Sequence, residues 1–99
     1  MTPASLSPRA RRDWLAATRW IEKDNPTAAL GLRNSIRQAA ERIGRHPDVG
    51  RLRPEVTVKS YRFLPLTGFP YVIVYDPRRT PPLIARILHG ARDLSDARL

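Results

Sequence analysis

The chain has 99 residues, no cysteine, and no apolar run near the roughly 20 residues of a membrane span. A chain this short closes a single core, burying about 60–70% of its unfolded surface, so one domain spanning residues 1–99 is expected. Eighteen Lys and Arg, sixteen of them Arg, face nine Asp and Glu; the resulting +9 and pI near 11.4 point to polyanions or an acidic protein as partners.

The N-terminal stretch "MTPASLSPRARRDW" lacks the long apolar core of a signal peptide, which makes the expected location cytoplasmic. Residues around Ala4 to Leu6 are short and apolar enough to add an edge strand. The first helix is predicted from "SPRARRDWLAATRWIEKDN", with Ser7 as N-cap and Pro8 in the first turn, where a missing N–H costs nothing. Ala10, Trp14, Ala17 and Ile21 fall on one helical face. "DNP" ends this helix, because a residue preceding proline avoids the α region.

Asn25 and Pro26 repeat the same cap and start a second helix, whose stripe is Ala29, Leu32, Ile36, Ala39 and Ile43. Gly44 is expected to stop it in the left-handed conformation. So short a connection makes the two helices an antiparallel hairpin. "RHPDVGRLRPEV", from Arg45 to Val56, reads as a loop. Three strands follow: 58–66, loosely alternating; 71–76, "YVIVYD", rich in β-branched and aromatic residues; and 82–90, "PLIARILHG". "TGFP" and "PRRTPP" connect them.

The predicted fold class is α+β, a helical hairpin on a small antiparallel sheet. Trp14, Ile21, Leu32, Ile36, Ile43, Val72, Val74 and Ile87 are the core candidates, while Trp20 stands off the stripe. On the middle strand Tyr71 and Tyr75 share a face with Ile73, opposite Val72 and Val74. One face must lie under the helices. The other needs a cover, and a partner segment is the natural one.

Four stretches in order resemble the RelE/ParE toxin family, and its ParE branch in particular. They are "LSPRARRDWLAATRWIEKDNPTAA", the loop "ERIGRHPDVGRLRPE", the paired strands "YRFLPL" and "YVIVYDP", and the ending "ARILHGARDL". The resemblance covers nearly the whole chain. It implies a type II toxin–antitoxin system, with the toxin held inactive by a cognate antitoxin. RelE-like members cut mRNA on the ribosome, whereas ParE-like members poison DNA gyrase.

Metal-free phosphodiester cleavage needs an acid, a base and cations on the transition-state phosphate. Arg62 stands where a strand Lys is common in RelE-like members, followed by Leu64 at the next inward position. "YVIVY" places Val72 where those members tend to carry a strand cation, and Gly90 rather than Tyr follows His89. Loss of one transition-state donor typically costs about a hundredfold or more. The expectation is a gyrase-binding toxin. A ribosome-dependent mRNA endonuclease using Arg62, Arg86 and His89 is the alternative, and a member that only binds its antitoxin is the third reading.

For His89, a titrating catalytic group is weighed against a strand-end imidazole, and the structural reading is preferred: His89 and Arg92 shape the end of the sheet. Arg51, Arg53, Arg62, Arg86 and Arg92, with Tyr71 and Tyr75, are the expected partner-binding residues. His46 and His89 stand 43 positions apart (89 minus 46), so no metal site and no cofactor are expected. With no helix-turn-helix pattern, DNA is expected to be reached only through the antitoxin, and no membrane is involved.

Overall fold

A computed structural model describes residues 2–94. The element order is β1 (Ser5–Leu6), α1 (Pro8–Glu22), α2 (Pro26–Arg45), β2 (Arg51–Leu52), β3 (Arg62–Pro65), β4 (Tyr71–Asp76) and β5 (Leu83–His89). The strands form one sheet in the order β1-β5-β4-β3-β2. Two helices on a sheet give the expected α+β class, but the sheet is mixed. β1 runs parallel to β5, while the other three pairings are antiparallel.

Both helix starts follow local chemistry. Ser7 is extended, and its hydroxyl accepts from the Ala10 amide at 3.0 Å. The same hydroxyl donates to the Ala85 carbonyl at 3.0 Å, so the α1 cap also fixes α1 against β5. The Asn25 side chain accepts from the Ala28 amide at 3.0 Å and starts α2. Each cap contributes about 1 kcal/mol.

Gly44 does not stop α2. The helix runs through it to Arg45, and Gly68 is the positive-φ glycine among the described residues. A side chain at Gly44 would meet the backbone of Thr2 and sit 2.9 Å from the Pro3 Cα, so this glycine admits the N-terminal segment beside α2. That segment is held by the Ala4 amide donating to the Ala40 carbonyl at 2.9 Å.

The expected 45–56 loop contains β2, which pairs only Arg51 with Phe63 and Leu52 with Arg62. Two residues without apolar alternation leave no strand signal in the sequence. β3 is shorter than the predicted 58–66 and ends at Pro65, beyond the stretch that β2 covers. A missing N–H costs little at that edge position.

The sheet is apolar on both faces, which is why "YVIVY" reads as a continuous run rather than an alternation. Tyr71, Ile73 and Tyr75 of β4, with Leu64, Leu66, Ile84 and Ile87, pack under Ala10, Ala17, Leu32, Ile36 and Ile43. Trp14 and Ile21 pack at its margin. The opposite face is smaller: Phe63, Val74 and Leu88 are buried beneath Val56, Tyr61 and Leu94, with Val72 half-buried among them. The core expectation thus divides in two, with Ile87 on the helix side and Val72 and Val74 on the far side. A fully buried aliphatic or Phe side chain contributes about 1.5–3 kcal/mol, so the helix side carries most of the fold.

Candidate functional site

The candidate residues fall at three places on the sheet. The first is the end of β4 near the α2–β2 loop. Tyr75, fully buried, donates its hydroxyl to the Pro47 carbonyl at 2.6 Å and accepts the Gly50 amide at 2.9 Å. Burial pushes this phenol's pKa up, against the opposing pull of the Gly50 amide. Gly50 is required by the approach: a Cβ there would lie 2.8 Å from Tyr75 Cε1. Arg62, opposite Tyr75 in the register, donates to the Gly50 carbonyl at 2.7 Å and faces the Asp48 carboxylate at 3.7 Å. Together these side chains hold the loop as if it were another strand.

The second place is the outer edge of β5. Arg86 forks onto Asp13 of α1, Nε to Oδ2 at 2.8 Å and a terminal nitrogen to Oδ1 at 3.1 Å. Asp13 Oδ2 also accepts the Ile87 amide at 3.0 Å. Both side chains are mostly buried, at 15% and 17% exposed. A register shift leaves Ala85 unpaired against β4, between the Val74–Arg86 and Tyr75–Ile84 pairs. Such a bulge adds local twist, beside the point where Arg86 meets the helix. Asp13 is therefore a clamp joining α1 to β5.

The third place is the end of β5. His89 lies edge-on to Tyr71, ring centroids 5.5 Å apart. Its Nδ1 accepts the Arg92 amide at 3.2 Å, and its own amide donates to Asp93 Oδ2 at 3.2 Å. Burial pushes the Asp93 carboxyl up, but the His89 amide and the Arg92 guanidinium outweigh it and hold the group below the usual carboxylate range. His89 thus organises the turn over residues 89–93.

Arg51 and Leu52 lie exposed on β2. Arg53 binds Glu55 at 3.0 Å and stands 5.7 Å from the Phe63 ring centroid. That contact is the main reason the Glu55 carboxyl lies below its ordinary pKa. Arg53, Glu55 and Val56 form one wall of a groove of about 370 Å³, and Gly90, Ala91 and Leu94 form the other. This groove lies on the far face of the sheet, away from the helices.

Three of the expected partner residues are placed otherwise. Tyr71 and Tyr75 are 5% and 0% exposed beneath the helices, because the bulky tyrosine face is the one the helical hairpin covers. Arg86 is turned onto Asp13 rather than outward. The sequence reading missed Asp13, Asp48 and Asp93 as partners of the candidate cations. Asp13 alone carried a signal: it falls three residues after Ala10 and four before Ala17, a carboxylate on the shoulder of an apolar stripe. His46 lies exposed at the end of α2, and no group of three or more potential metal ligands occurs among the described residues. No helix of the described residues is long and apolar enough to cross a membrane.

Fold and residue pattern together define a small α+β domain, a helical hairpin on a five-stranded mixed sheet. Residues 4–94 match the sequence model of the ParE toxin of the type II toxin–antitoxin system, parDE. The chain belongs to this ParE toxin family of type II toxin–antitoxin systems. It is 34% identical over 90 residues to "Toxin RelE3" of Caulobacter vibrioides, covering 91% of this chain and 96% of that relative. A solved structure titled "Chromosomal ParDE TA system from P. aeruginosa" shares the fold, with a TM-score of 0.73 at 21% identity over 90% of this chain and 96% of that one.

Proposed function

We propose that this toxin arrests growth by binding DNA gyrase, without cleaving RNA, and that a cognate antitoxin neutralises it at the far face of the sheet. The observation that carries the reading is the state of the three groups a nuclease would need. Arg62 is spent on the Gly50 carbonyl and Asp48, Arg86 on Asp13, and His89 Nδ1 on the Arg92 amide. Arg62 is also far from His89. Arg62 pairs with Tyr75 and His89 with Tyr71, so the two sit four strand residues from each other, about 13 Å at 3.3 Å per residue. General acid–base catalysis needs its groups within hydrogen-bond reach of the same reacting atoms.

For the antitoxin, Arg51, Leu52 and Arg53 at the sheet edge and the Val56–Leu94 groove offer cations beside apolar surface. A segment with apolar anchors and carboxylates fits both. Burial would supply most of the affinity, with the charges steering encounter and register. Arg92, paired with Asp93 after β5, lies apart from this groove, beside Asp13 and Trp20 of α1.

The ribosome-dependent mRNA endonuclease is the second reading, and the RelE name of the Caulobacter relative is what favours it. One experiment separates the two. Induced without its antitoxin, the toxin should cause filamentation and DNA-damage signalling with bulk mRNA intact, and the purified protein should inhibit gyrase supercoiling. Rapid mRNA cleavage at ribosomal A-site codons, with purified gyrase unaffected, refutes the gyrase reading.

A further inference from the structure

The paired cations of this molecule lie mostly around the sheet. There, Arg53, Arg62, Arg78, Arg79, Arg86 and Arg92 each have a carboxylate within 4.0 Å, whereas Arg51 and Lys59 are exposed and have none among the described residues. On the helical hairpin, Arg11, Arg12, Arg19 and Arg33 are exposed and have none among the described residues. Arg37 has a single long contact to Glu41 at 4.0 Å.

Helix geometry lines these cations up. The buried face of α1 is marked by Ala10 and Ala17, so Arg12, Arg19 and Lys23 project to the opposite side in one row. Successive members stand about 10 and 6 Å apart along the axis, at 1.5 Å per residue. On α2, Arg33 and Arg37 are one turn apart and flank the buried stripe of Ile36 and Ile43. The helices are neighbours, so Arg33 and Arg37 stand on the helix adjoining the α1 row, and these cations together make one platform.

We infer that this outer face of the hairpin binds the phosphate backbone of duplex DNA, bringing the toxin onto DNA that gyrase holds; the second clause rests on the proposed function, the first does not. Rigid guanidinium forks suit phosphate oxygens. A protein partner fits the face less well, because protein interfaces deplete charge at their centre, whereas this one has a row of cations at its middle, with Leu15, Leu30 and the exposed Trp20 as the large hydrophobics of the hairpin. Protein–DNA interfaces are polar and strongly positive throughout. Backbone contact also needs no base-reading helix, so it is compatible with leaving operator recognition to the antitoxin.

The test compares two triple variants of equal charge change in the full chain. Arg12→Gln, Arg19→Gln and Arg33→Gln strip the platform; Lys59→Gln, Arg78→Gln and Arg79→Gln remove the same charge elsewhere. Binding to a 30-base-pair blunt DNA duplex of mixed sequence is followed by fluorescence anisotropy between 50 and 200 mM salt, with the matching RNA duplex as a second probe. Circular dichroism confirms that each variant is folded. The unaltered toxin should lose about a hundredfold in affinity over this range, as expected for roughly four phosphate contacts. The platform variant should bind at least about tenfold more weakly at 50 mM, with a salt slope shallower by about 2.7 for three lost contacts. The other variant should change by less than about threefold. Equal weakening by the two triples means that net charge alone binds DNA and overturns the assignment, as does tenfold preference for RNA. Gyrase inhibition is scored separately: undiminished inhibition by a platform variant that has lost DNA binding overturns the delivery of the toxin to gyrase-held DNA but leaves the gyrase reading standing. A toxin inert on gyrase whose platform still binds DNA as described does the reverse.

Discussion

The arginines beside the sheet and those on the hairpin are the same residue put to opposite uses. Beside the sheet, guanidinium groups close the fold: Arg62 holds a loop by its carbonyl, Arg86 clamps α1 to β5, and Arg78 and Arg79 share Asp76 in the β4–β5 connection. On the hairpin they touch solvent. Carboxylates are scarce in this chain, and most sit where an arginine can be fixed at the sheet. The difference teaches that +9 is a sum over arginines held by carboxylates and arginines left to solvent, the latter including Arg51 at the sheet edge.

The contrast is broken most severely at Asp13. Asp13→Ala leaves the Arg86 guanidinium without its counter-charge and the Ile87 amide without an acceptor. Losing one member of a mostly buried pair should lower unfolding free energy by about 2–4 kcal/mol in urea denaturation. A loss below about 0.5 kcal/mol would place Arg86 with the solvated arginines.

Next comes Tyr75→Phe, which removes one hydroxyl and strands the Pro47 carbonyl and the Gly50 amide. A cost of about 1–3 kcal/mol is expected. Faster hydrogen exchange at Gly50 should accompany it, since that amide loses its buried acceptor. Unchanged exchange there would show that Tyr75 only fills space.

A smaller effect belongs to Asp93, whose folded pKa is depressed. Its contribution is therefore full above the ordinary carboxylate pKa and is lost as pH falls through the depressed folded value. Asp93→Asn should cost less than about 1 kcal/mol at pH 7, because the side chain is 41% exposed and well screened. The gap between variant and parent should close as pH falls below about 4. A gap that widens on acidification contradicts the assignment.

The smallest effect is expected on the hairpin. Arg19→Ala and Arg33→Ala should each leave stability within about 0.5 kcal/mol, because both side chains are exposed and neither has an ion-pair partner among the described residues. A large loss at either would remove the distinction between the two populations.

Much of the fold was legible from local chemistry. Ser7–Pro8 and Asn25–Pro26 mark both helix starts because capping is a matter of adjacent atoms, and the 3- and 4-residue spacing of Ala10, Trp14, Ala17 and Ile21 identifies the buried side of α1. β4 was readable as a strand from its β-branched and aromatic run, and the family resemblance was carried by short words in the right order. What stayed hidden depended on residues distant in sequence. β2 exists because β3 offers it a partner, and Gly44 is small because Thr2 and Pro3 pass beside it.

By itself, then, the sequence determined the elements, their order, the ParE family pattern and the sign of the molecule's field. Only the tertiary structure decided which face of the sheet lies under the helices, and with it the fate of Tyr71 and Tyr75. A sheet apolar on both sides carries no alternation to choose between them; the choice is made by which side chains fill the space below α1 and α2. The same holds for the arginines. A guanidinium's role depends on the carboxylate or carbonyl brought to it, and Asp13 meets Arg86 across 73 residues of chain.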